Sequence, residues 1–231
     1  NTGNDPCNQL AWLEGTLKSA DSKDRIMLMA HVPPGFFERK ITRPYMENLK
    51  GDHHYNEEFS RIITQNGGKI VAQFYGHTHT NSFRLFRESI SAGPTTYGLI
   101  ASSVTPRVDE RTGTNPGVRL YSYKPGAKYL DNYQQFYLDL AKANFASPDS
   151  DPKWNKLYDF RETYGLPDMS LGSMWALADR MIRDASLFDT YYTFNTLGFG
   201  STNLLDRNAG MKRIIYIAAK ISGNKLTLLL I

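Results

Sequence analysis

The stretch from Lys69 to His79, KIVAQFYGHTH, constrains this chain more than any other. Its six-residue run Ile70-Val71-Ala72-Gln73-Phe74-Tyr75 has the length and the β-branched and aromatic content of a buried strand. Gly76 breaks the run, and two imidazoles follow at i and i+2, His77 and His79. On extended backbone both project from the same side of the chain. Imidazoles placed together at a rigid strand end suit a borderline cation such as zinc. A bare His-x-His also occurs as a pair of loop residues without a role, so the reading depends on what the rest of the chain brings to the same place.

A second strand end contributes. Arg25 to Ala30 is a short apolar run, read as a buried strand, and it ends in His31-Val32-Pro33-Pro34-Gly35, where prolines stop the ladder. A helix is expected ahead of each strand. One runs from about Asn8 to Ala20, with Leu10, Leu13 and Leu17 at helical spacing; the other runs from Tyr55 to Asn66, with Phe59, Ile62 and Ile63 on one side and Gly67-Gly68 as its stop. Helix, strand-His, helix, strand-His is α/β layering with chemistry at strand ends. His53 and His54 are adjacent, point different ways and are read as surface residues.

After His79 the spacing predicts strands at 82–87, 97–104 and 118–123, forming a meander beside the sheet, with Asn115-Pro116-Gly117 as a turn. Phe136, Leu138, Leu140 and Ala141 suggest a strand passing into a helix near Asn144, and Ser147 to Pro152 is a cluster of breakers. Trp154, Leu157, Tyr158 and Phe160 are read as a helix closed by Tyr164-Gly165-Leu166-Pro167. Leu171 to Asp184 places Met174, Leu177, Ala178, Met181 and Ile182 on one helical face, and Phe188, Tyr191, Tyr192 and Phe194 supply core aromatics in the next helix. From Leu204 two apolar runs about Ser222-Gly223-Asn224 fit a hairpin apolar enough to touch a membrane. The expected organisation is a first unit over 1–146, a helical subdomain over 147–203 and a divergent tail over 204–231.

Hydrophobic residues make up 41% of the 231, enough for a substantial core and too many for a disordered chain. The net charge of +4 is spread along the chain, which argues for a solvated surface and against a nucleic-acid polymer as partner. A lone cysteine, Cys7, excludes a disulfide within the chain. Ile214 to Ile231 is too interrupted, by Lys220, Gly223, Asn224 and Lys225, to be a transmembrane span. The polar first residues lack the pattern of a signal peptide, and the missing initiator Met points to a chain cut from something longer.

Ala30 to Gly35 and Gln73 to His79 resemble the last two motifs of the calcineurin-like metallophosphoesterases. Further matches follow in order at Ala101 to Pro106, Asn115 to Tyr121, Tyr137 to Asn144 and Trp154 to Pro167. They narrow the resemblance, which covers about residues 8 to 200, to the acid sphingomyelinases and acid sphingomyelinase-like phosphodiesterases. The resemblance implies an α/β (α+β) fold, the C-terminal half of a four-layer αββα sandwich with a helical C-terminal subdomain. It implies two zinc ions and hydrolysis of a phosphodiester, in a small molecule or a lipid head group, in a secreted or lysosomal setting. By motif, His31 and His77 match ligands of one zinc and His79 a ligand of the other. The family motifs that carry the bridging Asp, a metal-binding Asn and the proton-donating His precede the matched portion. The chain is thus expected to hold part of a site, the alternative being a non-catalytic remnant acting as a binding or structural module. The tail from Leu204 lacks the cysteine-rich pattern with which the family usually closes.

Overall fold

The computed structural model describes residues 5–36, 55–89, 91–108, 113–147, 150–199 and 215–217. The two histidine-bearing runs are strands β1 (Ile26–Met29) and β2 (Ile70–Tyr75), paired in parallel. Helix α1 (Gln9–Ser19) precedes the first and α2 (Tyr55–Gln65) the second. β2 pairs in parallel with β4 (Pro94–Ile100), and β4 pairs antiparallel with β3 (Ser82–Arg87). The short strand β10 (Ile215–Ile217) lies parallel beside β3, giving a five-stranded sheet of order β1-β2-β4-β3-β10. β4 starts earlier and ends earlier than its apolar run suggests. Beyond Ile100 the chain leaves the sheet, and Val104 is exposed.

Apolar side chains cover both faces of this sheet, which is why β2 and β3 read as continuous buried runs. On one face Leu17 of α1 and Phe59, Ile62 and Ile63 of α2 pack with Leu28, Ile70, Tyr75, Phe86 and Ile100. The other face, with Phe83, Leu85, Tyr97 and Leu99, belongs to a second core built with the remaining elements.

Those elements begin with a short antiparallel pair, β5 (Arg107–Val108) and β6 (Gly113–Thr114), and an antiparallel sheet, β7 (Gly117–Ser122), β8 (Asn132–Leu138) and β9 (Trp154–Asp159). The meander expected beside the main sheet is therefore present, but Trp154 to Asp159 is a strand and not the start of a helix. Its apolar residues fit helical spacing, yet β8 offers an open edge, and Trp and Tyr sit well on a pleated surface once a ladder is available. The helix begins only at Phe160, as α4 (Phe160–Tyr164), where the Asp159 side chain accepts from the Glu162 N–H and Gly165 closes the other end at φ 60°. Between β8 and β9 lies α3 (Leu140–Phe145), capped by Asp139.

Helix α5 (Leu171–Arg183) buries Met174, Leu177, Ala178 and Met181, an i, i+3, i+4, i+7 stripe. Ile182 falls about 100° around the helix from Met181 and is exposed, not on the core face as its apolarity suggested. Helix α6 (Ala185–Asn195) contributes Phe188, Tyr191 and Tyr192 to the core, as expected of its aromatics. Its C-terminal end meets the Asn115-Pro116-Gly117 turn. The Asn115 side chain donates to the Leu197 C=O at 3.0 Å, and a Cβ on Gly117 would stand 2.3 Å from a Leu197 methyl, so any larger residue would have to push Leu197 aside.

No helix among the described residues is long and apolar enough to cross a membrane. Most of the tail expected to form a hairpin, and His53 and His54, lie outside the described residues. The observed fold is mixed α/β with parallel and antiparallel pairing, as the sequence led us to expect.

Candidate metal centre

β1 and β2 are in parallel register, so they run out at the same level. The Ala30 N–H donates to the Phe74 C=O at 3.1 Å, and the Gly76 N–H to the His31 C=O at 3.0 Å. These two bonds carry the ladder one step past the strands and set His31 beside the Gly76-His77 peptide. A Cβ at Gly76 would stand 3.7 Å from His31 Nδ1, so the ring lies close over this residue. The His31 and His77 rings stand 5.3 Å apart, edge to face at 84°.

The backbone beyond Gly76 is not extended. His77 and His79 adopt left-handed conformations, φ 68° and 59°, and the Thr78 N–H donates back to the Gly76 C=O at 2.8 Å. Two non-glycine residues in this region cost roughly 1–2 kcal/mol each, so the surrounding structure must hold them there. The expectation that both imidazoles project from one side of an extended strand is thus corrected. His31 and His77 are brought together, whereas no group of three or more His, Cys, Asp or Glu among the described residues is placed to hold a metal ion.

Electrostatics favour the neutral form of the exposed ring. Partial burial, then the neighbouring His31, His79 and Arg107, lower the pKa of His77 and so favour the unprotonated ring, the form that donates a lone pair to a metal. The half-buried His79 has its Nδ1 buried without a hydrogen-bond partner among the described residues. An orphaned ring nitrogen and an adjacent imidazole pair are donor chemistry that fits a borderline cation, though three histidines in this arrangement do not close a tetrahedral site.

The other end of the turn is anchored. The Asn81 N–H donates to the Asn195 C=O at 2.9 Å, and the Asn195 side chain returns a bond to the Asn81 C=O at 2.8 Å. The Asn81 side chain donates to the Tyr158 hydroxyl and accepts from the Arg119 guanidinium. Arg119 also donates to Gln135 Oε1 and to the Tyr121 hydroxyl, both at 3.0 Å, and lies 4.1 Å over the Tyr133 ring. Tyr133 and Tyr158 join their hydroxyls at 2.9 Å. Burial works against the charge on Arg119, but the surrounding phenol oxygens more than offset it and the guanidinium stays charged.

Sequence reading missed this network. The alternation over Val118 to Tyr123 was visible, but the face turned inward is the one with Arg119 and Tyr121, while Val118 and Leu120 are exposed. Tyrosines sharing a strand face with a single arginine were the available signal.

Comparison with known proteins places these features. A profile of the family described as "Acid sphingomyelin phosphodiesterase C-terminal region" matches residues 94–220, more than half of the chain. The chain is 30% identical over 216 residues to human "Acid sphingomyelinase-like phosphodiesterase 3b", covering 91% of this chain and 45% of that protein. It is 33% identical over 217 residues to rat "Cyclic GMP-AMP phosphodiesterase SMPDL3A", covering 92% and 47%. It is 33% identical over 195 residues to human "Sphingomyelin phosphodiesterase", covering 81% and 28%. It thus spans about half the length, or less, of these relatives. The chain belongs to the acid sphingomyelin phosphodiesterase C-terminal region family.

Proposed function

We propose that this chain is the histidine-bearing part of a phosphodiesterase that hydrolyses a phosphodiester in a nucleotide-type molecule or a lipid head group. The observation that carries the reading is the His31–His77 pair, set ring to ring by the ends of two adjacent parallel strands. The relatives' names supply the reaction class, since one is a cyclic GMP-AMP phosphodiesterase and another a sphingomyelin phosphodiesterase.

In this reading His31 and His77 would hold one zinc ion and His79 a second. Zinc there supplies Lewis acidity toward a phosphoryl oxygen. The chain's own residues provide donors and their placement. Partial burial and the neighbouring His31 lower the pKa of His77, which favours the ring form with a free lone pair. The Gly76 N–H fixes the His31 backbone, and the orphaned Nδ1 of His79 is a nitrogen with an unmet bond. A bridging carboxylate and a proton donor are not assigned to residues of this chain. A secreted or lysosomal setting goes with the proposal.

The test is zinc uptake by the 231-residue chain, read by competition with a chromophoric chelator. His31→Ala and His77→Ala should each weaken uptake while circular dichroism stays unchanged; uptake equal to wild type in both would overturn the assignment. A second reading, a non-catalytic binding or structural module, draws on the lack, among the described residues, of a group of three or more His, Cys, Asp or Glu placed to hold a metal ion. Turnover of bis(4-nitrophenyl) phosphate separates the two. Zinc-dependent turnover favours the enzyme, and zinc binding without turnover favours the module.

A further inference from the structure

A positive charge withdrawn from water normally meets a carboxylate. The half-buried Arg119 meets none among the described residues. Among the described residues its hydrogen bonds go to Asn81, Gln135, Tyr121 and the Ile100 C=O, all neutral, and its flat face lies on Tyr133. Such a charge is costly to keep, so what it holds in place is informative. Its contact with Asn81 falls two residues beyond His79, on the segment whose left-handed backbone needs outside support.

The segment is gripped from several directions at that point. α6 clamps the Asn81 peptide through the reciprocal Asn195 bonds, and β9 reaches its side chain through Tyr158. Arg119 ties these to β7 and β8, because the same guanidinium reaches Gln135 and stacks on Tyr133. The start of the turn is held by the strand ladders, through the Gly76 N–H to the His31 C=O and the Ala101 N–H to the Tyr75 C=O, and Thr80 bonds the Thr78 hydroxyl within it. Side chains from several elements meet the turn at its far end, at Asn81.

We propose that Arg119 is a positioning residue: through Asn81 it holds the left-handed turn that directs His77 and His79. It touches no reacting atom. Its role toward a metal rests on the functional reading above, but its role toward the turn does not.

The experiment compares wild type with Arg119→Met, which keeps length and loses charge and fork, and Arg119→Lys, which keeps charge alone. Tyr97→Phe serves as a control. It deletes a buried hydroxyl bonded to the Met169 C=O, away from the turn. Three-bond HN–Hα couplings of His77 and His79 and their imidazole nitrogen shifts, measured without metal, report the turn; thermal unfolding reports stability. Arg119→Met should move the couplings and shifts of both histidines, Arg119→Lys should move them less, and Tyr97→Phe should lower the melting temperature and leave them in place. Zinc affinity should fall about tenfold to a hundredfold in Arg119→Met, as for loss of a residue that orients ligands. Wild-type couplings in a folded Arg119→Met chain, or in Arg119→Lys and Asn81→Ala if Met does not fold, would overturn the proposal. A wild type that binds no zinc would instead sink the metal reading and leave the couplings to decide this one.

Discussion

The two faces of the five-stranded sheet are filled with different material. Under α1 and α2 the core is mostly aliphatic, with Leu17, Ile62, Ile63 and Ile70 meeting through shape alone. Under the second sheet it is aromatic and carries hydroxyls, amides and a guanidinium in its interior. The histidine turn lies at the seam. His31 and His77 are exposed at the ends of strands packed on the aliphatic side, whereas Asn81 is embedded in the polar aromatic side. The difference teaches a division of labour. Non-directional packing fixes where the strand ends are, and directional bonds fix which way the turn leaves them.

This contrast can be broken from either side. The largest effect is expected from Arg119→Ala, which leaves a cavity and the Asn81 and Gln135 oxygens unpaired and should cost about 3–5 kcal/mol in urea unfolding. Tyr158→Phe removes one hydroxyl that serves both Asn81 and Tyr133, and should cost about 1–3 kcal/mol. On the aliphatic side Ile63→Val deletes one methylene from a fully buried position and should cost about 0.5–1.5 kcal/mol, with the histidine couplings unmoved. If Ile63→Val disturbed the turn as much as Tyr158→Phe, the division of labour would be wrong.

A smaller effect is expected in acid. Asp184 caps α6, and its bonds from Ser186 and the Leu187 N–H hold its carboxyl below the usual range. A carboxyl depressed in the folded state contributes stability above its unfolded pKa of about 3.9, and that contribution disappears as pH falls through the lower folded value. Replacing Asp184 with Ala should therefore narrow the stability gap to wild type as acid titrations pass below that range. A gap that widened there would contradict the capping account.

The strand ends were legible in the sequence because both apolar runs stop short, at Gly76 on one and ahead of Pro33-Pro34, which lack the N–H a ladder needs, on the other. The turn was not. Nothing local marks His77 and His79 as left-handed, since their conformation is imposed by Asn81, whose partners lie on β7, β9 and α6. The same holds for Trp154 to Asp159, where a helical spacing yields to the open edge of β8. Helices α2 and α5 were readable from their stripes because each needs only one apolar surface to lie on. Pairings that depend on a distant partner leave no local trace.

The most direct test of the central claim is a zinc titration of the isotopically labelled chain, followed through the ring nitrogens of all its histidines. The account predicts that His31 and His77 respond together, with their neighbouring rings reporting the same binding event. No response at either ring, or a response at one without the other, would contradict it.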